Sequence, residues 1–133
     1  MEIIKEVLKK YKNIALVGAS KDLTKTSSIV MKYLQDYGFK VYPVNPSMKG
    51  ESILGEKVFG NIKEIDGPIE IVDVFRPSNE AAEIAKDAIK VKAKVLWLQL
   101  DIRNEEAKKI VKTNDIIYIE NKCTKIEYEK YFN

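Results

Sequence analysis

No histidine occurs among the 133 residues of this chain, and there is a single cysteine, Cys123. The first absence excludes a Ser-His or Cys-His nucleophile pair, a phosphohistidine relay and any zinc site that relies on imidazole. The second excludes an internal disulfide and a thiolate cluster for a metal, and points to a reducing setting. Long apolar runs are missing too: none reaches the roughly 20 residues that a membrane span needs. The opening stretch MEIIKEVLKKYKN is charged and amphipathic, unlike a secretion signal. Nor does one charge dominate. Lys and Arg total 23 against 20 acids, a formal net charge of +3, and the basic residues are scattered. That leaves no electrostatic footprint for nucleic acid. The expectation is a soluble, cytoplasmic protein with neither a membrane nor a nucleic acid among its partners.

What is present is the composition of a folded globule, 45% hydrophobic and 32% charged. The length suits one domain, read as residues 1–133. Ile3, Ile4, Val7, Leu8 and Tyr11 recur at helical spacing over 2–11. NIALVGA at 13–19 is a continuous apolar run of the kind found in a strand buried on both faces. Thr26 or Ser27 is placed to cap a helix through Ile29, Val30, Tyr33, Leu34 and Tyr37, with Gly38 just past its end. KVYPVN at 40–45 reads as a strand, and Pro43, lacking an N–H, places it at an edge or at a strand end.

Periodicity then fades through a Gly- and Pro-bearing segment, read as a loop with a short strand at 57–59 and a helical turn near 62–65. IEIVDVF at 69–75 is a strand with one acid in it. Ser78 is expected to cap a helix running through Ile89. KVLWLQL at 94–100 is a fourth buried strand, followed by a helix over 104–112. Residues 115–120 form a fifth strand, and an aromatic helical tail starts at Lys125. Alternating strands and helices, with apolar strands throughout, imply parallel pairing and right-handed crossovers. The fold class is therefore α/β: a Rossmann-like, doubly wound, mainly parallel sheet of five to six strands with helices on both faces, a three-layer sandwich.

In such a sheet, ligands bind beyond the carboxyl ends of the strands where the strand order reverses. Gly18 ends the first strand, and the polar stretch Ser20–Ser28 leads into a helix N-terminus, which suits a phosphate or pyrophosphate. Only Gly18 matches a dinucleotide fingerprint, because Ser20 and Leu23 stand where the second and third glycines would be. The second strand ends in Asn45 and Pro46, without the carboxylate that a nicotinamide site uses for a ribose hydroxyl. Lys49 lies just beyond, and its charge makes it a candidate for a phosphate. Arg76, one of two arginines, sits between Phe75 and Pro77 at another strand end. Its planar fork suits a phosphate, or equally the nearby Glu80, and Phe75 could cover a purine. Gln99 closes the most hydrophobic strand, so its amide either meets a ligand or ties loops together. Asp73 reads as a satisfied buried carboxylate, Trp97 as core, and Cys123 as a quiet thiol near the same edge.

Taken in order, IALVGAS at 14–20, VYPVNP at 41–46, GESILGEKVF at 50–59, IVDVFRPS at 71–78, VLWLQL at 95–100, NEEA at 104–107 and NKCTKIEY at 121–128 resemble the small stand-alone CoA-binding proteins. Their fold is similar to the CoA-binding N-terminal domain of the succinyl-CoA synthetase alpha subunit. The resemblance covers nearly the whole chain. It implies a domain that binds coenzyme A or an acyl-CoA along the strand edge. Gly18, Ala19 and Ser20 would form the turn beside the pyrophosphate, assisted by Lys21, Ser27 and Ser28. Asn45 and Pro46 would flank the adenosine, Phe75 and Arg76 would close over it, and Gln99 and Leu100 would face the pantetheine arm. The chain departs from the family pattern at Thr124, where proline is expected after the cysteine. Ligase parts that depend on phosphohistidine or a further domain do not carry over.

The expected function is thus a non-catalytic CoA-binding carrier, sensor or partner module, with no catalytic residue and no metal site assigned. Two alternatives are a small NAD(P)-dependent oxidoreductase and an interaction protein with a vestigial nucleotide pocket, whose tail residues Tyr128, Tyr131 and Phe132 meet a protein partner or a second copy. A mixed disulfide between Cys123 and CoA is a further possibility to test.

Overall fold

A computed structural model describes residues 2–133, and of Glu2 only the backbone. The chain runs α1 (Glu2–Lys10), β1 (Asn13–Val17), α2 (Thr26–Asp36), β2 (Lys40–Val44), β3 (Ser52–Ile53), β4 (Glu56–Lys57), β5 (Ile71–Val74), α3 (Ala81–Lys90), β6 (Val95–Leu98), α4 (Glu105–Lys112), β7 (Ile117–Ile119) and α5 (Thr124–Phe132). Five strands pair in the order β2-β1-β5-β6-β7, all parallel. The chain leaves β1 for one edge and returns to the other side of β1 at β5. The order therefore reverses between β1 and β5.

Side-chain alternation along the strands divides the core in two. Ile14, Leu16, Ile71, Val95 and Trp97 face Ile4, Val7 and Leu8 of α1, together with Val30, Met31 and Leu34 of α2. Ala15, Val72, Val74, Leu96 and Leu98 face Ala81, Ala85 and Ala88 of α3, and Ala107 and Val111 of α4. The alanines let α3 and α4 approach the sheet closely. The result is the three-layer Rossmann-like sandwich that the strand–helix alternation requires, with five strands.

Several local expectations need correction. Residues 57–59 are not one strand: β3 and β4 form a hairpin around Leu54 and Gly55, both at positive φ. Phe59 bridges to Val44 instead. It donates to the Pro43 carbonyl at 3.0 Å and accepts from the Asn45 N–H at 2.9 Å, so the edge that Pro43 marks is partly covered. Neither Thr26 nor Ser27 caps α2. The capping position is Lys25, with no side-chain hydrogen bond to the helix, because the preceding turn is organised by Asp22, whose Oδ1 accepts from the Thr24 N–H and hydroxyl. Ser78 does not cap α3 either. It begins a 3-10 turn, Ser78–Glu80, and its Oγ accepts from the Arg103 N–H at 3.0 Å. By contrast Asn104 caps α4, accepting from the Ala107 N–H at 2.8 Å.

Candidate functional site at the carboxyl edge of the sheet

Gly18 adopts φ +100° where β1 turns toward α2, and an added Cβ would lie 2.7 Å from the Phe75 carbonyl oxygen and 3.1 Å from Cδ of Arg76. Both the dihedral and the close approach demand glycine. The N–H groups of Gly18 and Ala19 converge on the Val44 carbonyl at 3.0 and 3.2 Å, so the turn is tied to β2. Asn45 completes the tie. Its Nδ2 donates to the Ala19 carbonyl at 2.9 Å, and its Oδ1 accepts from the Ser47 N–H and hydroxyl at 3.0 and 2.8 Å. Those bonds use an amide at both ends; a carboxylate could not donate to Ala19.

A cleft of about 470 Å³ opens at this point, within the size range of small-ligand sites. Its lining includes Val17 and Gly18 from the end of β1, Asn45 and Pro46 after β2, Asn61 and Ile62 from the following loop, and Arg76, Glu80, Ile84 and Asp87 from the β5–α3 connection and α3. The Arg76 fork is engaged side-on by Glu80, with Nε to Oε1 at 3.0 Å and Nη2 to Oε2 at 2.7 Å. This pairing raises the Arg76 pKa and lowers that of Glu80, keeping both charged. Across the cleft Asn61 donates to Asp87 at 3.4 Å.

On the other side of the Gly18 turn lies the uncapped start of α2. Ser27 and Ser28 are buried in its first turn, and Ser28 donates to the Ser20 carbonyl at 2.6 Å. Ser20 Oγ accepts from the Asp22 N–H. Ala19 is buried, and Lys21 is exposed, 3.6 Å from Glu51. Lys49 does not line the cleft. It pairs with Glu64 at 3.2 Å in a neighbouring depression of about 250 Å³, with Gly60 lying between. Phe75 packs against the α1, α2 and α5 side of the core, whereas the cleft opens on the α3 side.

Farther along the same edge the polar groups turn inward. Gln99 is 4% exposed, and its amide donates to both Asp73 and the Thr124 hydroxyl, tying β5 to the start of α5. Thr124 in turn donates to Asp73 Oδ2 at 3.2 Å. Burial pushes the Asp73 carboxyl up to about 7, against the opposing pull of these two donors. Thr124 is therefore a partner of the one buried acid in the strands. Leu100 stands exposed beyond this network. Cys123 is buried, and burial pushes its thiol up, the opposite of what an attacking thiolate needs. Among the described residues no group of His, Cys, Asp and Glu is arranged to hold a metal ion, and no helix is long and apolar enough to cross a membrane.

The strand ends announced Gly18, Asn45, Pro46 and Arg76, and these four meet in the cleft. Sequence reasoning missed Asn61, Ile84 and Asp87. Ile84 and Asp87 share one face of α3, in helical register with Glu80 just before its start, but nothing local indicates that this face looks onto the turn at Asn61.

A parallel sheet that reverses beside a glycine turn and a helix N-terminus defines a Rossmann-like class of domain. Within that class the chain belongs to the CoA binding domain family, whose model matches residues 12–129. It is 40% identical over 125 residues to the protein YneT of Bacillus subtilis, covering 94% of this chain and 91% of that one. A solved structure of a protein from Pyrococcus horikoshii is similar at 40% identity with a TM-score of 0.95, over 99% of this chain and 92% of the other. A shorter stretch of 67 residues is 39% identical to the alpha subunit of the ADP-forming acetate–CoA ligase II of Pyrococcus furiosus. It spans 50% of this chain but 14% of that protein.

Proposed function

We propose that this chain binds coenzyme A or an acyl-CoA at the carboxyl edge of the sheet, as a non-catalytic carrier, sensor or partner module. The observation that carries the reading is the Gly18 turn at the β1–β5 reversal. It brings the cleft and the free start of α2 to either side of one residue that has no room for a side chain. A long, bent nucleotide can cross the sheet there. Its adenosine end fits the cleft beside Asn45 and Pro46. Its diphosphate would lie along Gly18, Ala19 and Ser20 toward Ser27 and Ser28, where helix N–H groups favour negative charge. Lys21 lies close enough to add charge, and Arg76 would reach a phosphate from the cleft side. The pantetheine arm would run toward exposed Leu100, past the buried Gln99. Lys49 would serve a phosphate only by leaving Glu64.

Thermal melting with CoA, acetyl-CoA, NAD, NADP and ATP tests this reading. A ligand at a hundredfold excess over its Kd stabilises the native state by about 2.7 kcal/mol. The expected result is a rise with CoA and acetyl-CoA that exceeds any rise with the others. A larger rise with NAD or NADP, or no rise with any of them, overturns it.

A further inference from the structure

The Arg76 fork, the one guanidinium lining the cleft, is already held by a carboxylate in the same two-pronged geometry that it would offer a phosphate. The two ends of this pair are unequal. The Arg76 stem is anchored: Pro77 comes directly after it, the preceding Phe75 N–H donates to Val17 at 2.8 Å, and Cδ rests against Gly18. Glu80 has an alternative. It occupies the capping position of α3, where its side chain makes no hydrogen bond to the helix. A carboxylate released there stays beside the positive end of a ten-residue helix. Both side chains are nearly half exposed, 46% and 44%, so the pair is of the weak, solvent-screened kind.

From this we propose that Glu80 is an internal competitor for the ligand's phosphate. It occupies the Arg76 fork in the free protein and yields it on binding, moving toward the start of α3. The inference rests on the CoA reading and adds a regulatory element to the same site. Affinity is set below what the cleft could reach, and occupancy is coupled to the first turn of α3.

The test is calorimetric titration of CoA into the wild type, Glu80→Gln, Arg76→Met and the double variant, with the ligand-free melting point of each as a folding control. Glu80→Gln should bind CoA roughly two- to fivefold more tightly, the range expected for removing one exposed charge pair. The gain should vanish when Arg76 is already Met. Glu80→Ala should repeat the gain. Equal or weaker binding by both Glu80 variants, with the wild type still binding, overturns the inference and leaves the CoA reading standing. A gain that persists in the double variant also overturns it. No binding by the wild type refutes the CoA reading itself.

Discussion

The two halves of the sheet's carboxyl edge carry similar residue types and put them to different uses. At β1, β2 and β5, Gly18, Asn45 and Arg76 surround an open cleft. At β5, β6 and the start of α5, Asp73, Gln99 and Thr124 satisfy one another in the interior. The difference arises from the connection that leaves each strand. After β1 the chain takes a long polar turn before α2 and leaves space beside it. After β7 only four residues intervene before α5, which brings the Thr124 hydroxyl onto Asp73. A polar residue at a strand end therefore stays open to a cleft only where no neighbouring helix start closes over it.

The largest effect separating the two halves should come from the open one. Gly18→Ala combines a dihedral that L-residues avoid with a Cβ 2.7 Å from a backbone oxygen. The expected loss in unfolding free energy is roughly 2–5 kcal/mol, with loss of the CoA response. Gly38 is the matched control. It also has positive φ, +91°, but nothing lies within 4 Å of an added Cβ, so Gly38→Ala should cost only about 1 kcal/mol. Equal losses in denaturant titrations of the two variants would mean that the close approach of β5 to the Gly18 turn contributes nothing.

The closed half should reveal itself through pH. Burial raises the Asp73 pKa from 3.8 to about 7, so the fold prefers the protonated acid. Its contribution to stability is complete below the unfolded value, declines as pH rises, and is gone above the folded one. Between pH 5 and pH 8 unfolding free energy should fall by on the order of 2 kcal/mol. Asp73→Asn should remove most of that slope, whatever it does to absolute stability. A slope that survives in Asp73→Asn would assign the titration to another group.

This contrast also accounts for what the sequence disclosed. Apolar runs such as VLWLQL fixed the strands and hence the layers, because a parallel strand buried on both faces leaves few other readings. The β3–β4 hairpin escaped, since each arm is two residues long and Gly55 is its only local mark. Ser78 looked like a cap, but its hydroxyl answers Arg103, 25 residues away. Gly18, Asn45, Pro46 and Arg76 were legible because each ends a strand at the reversal. Gln99 gave the same signal from the closed half. Its partners lie 26 and 25 residues away, a tertiary choice that no local pattern encodes. Asn61 and Asp87 were illegible for the same reason: a loop brings the one to the other.

The smallest expected effect discriminates most sharply between the halves. Arg76→Met removes a partly exposed ion pair with Glu80, and such pairs contribute at most about 1 kcal/mol after screening by solvent. The methionine keeps much of the stem that packs on Gly18, so the ligand-free stability should move by no more than about 0.5 kcal/mol. The melting rise given by CoA should nevertheless shrink, because the fork is lost to the ligand as well as to Glu80. Chemical unfolding and ligand-dependent melting of the same preparation separate the two effects. A large loss of intrinsic stability with an unchanged CoA response would make Arg76 a structural tie across the start of α3, and the open half would then resemble the closed one.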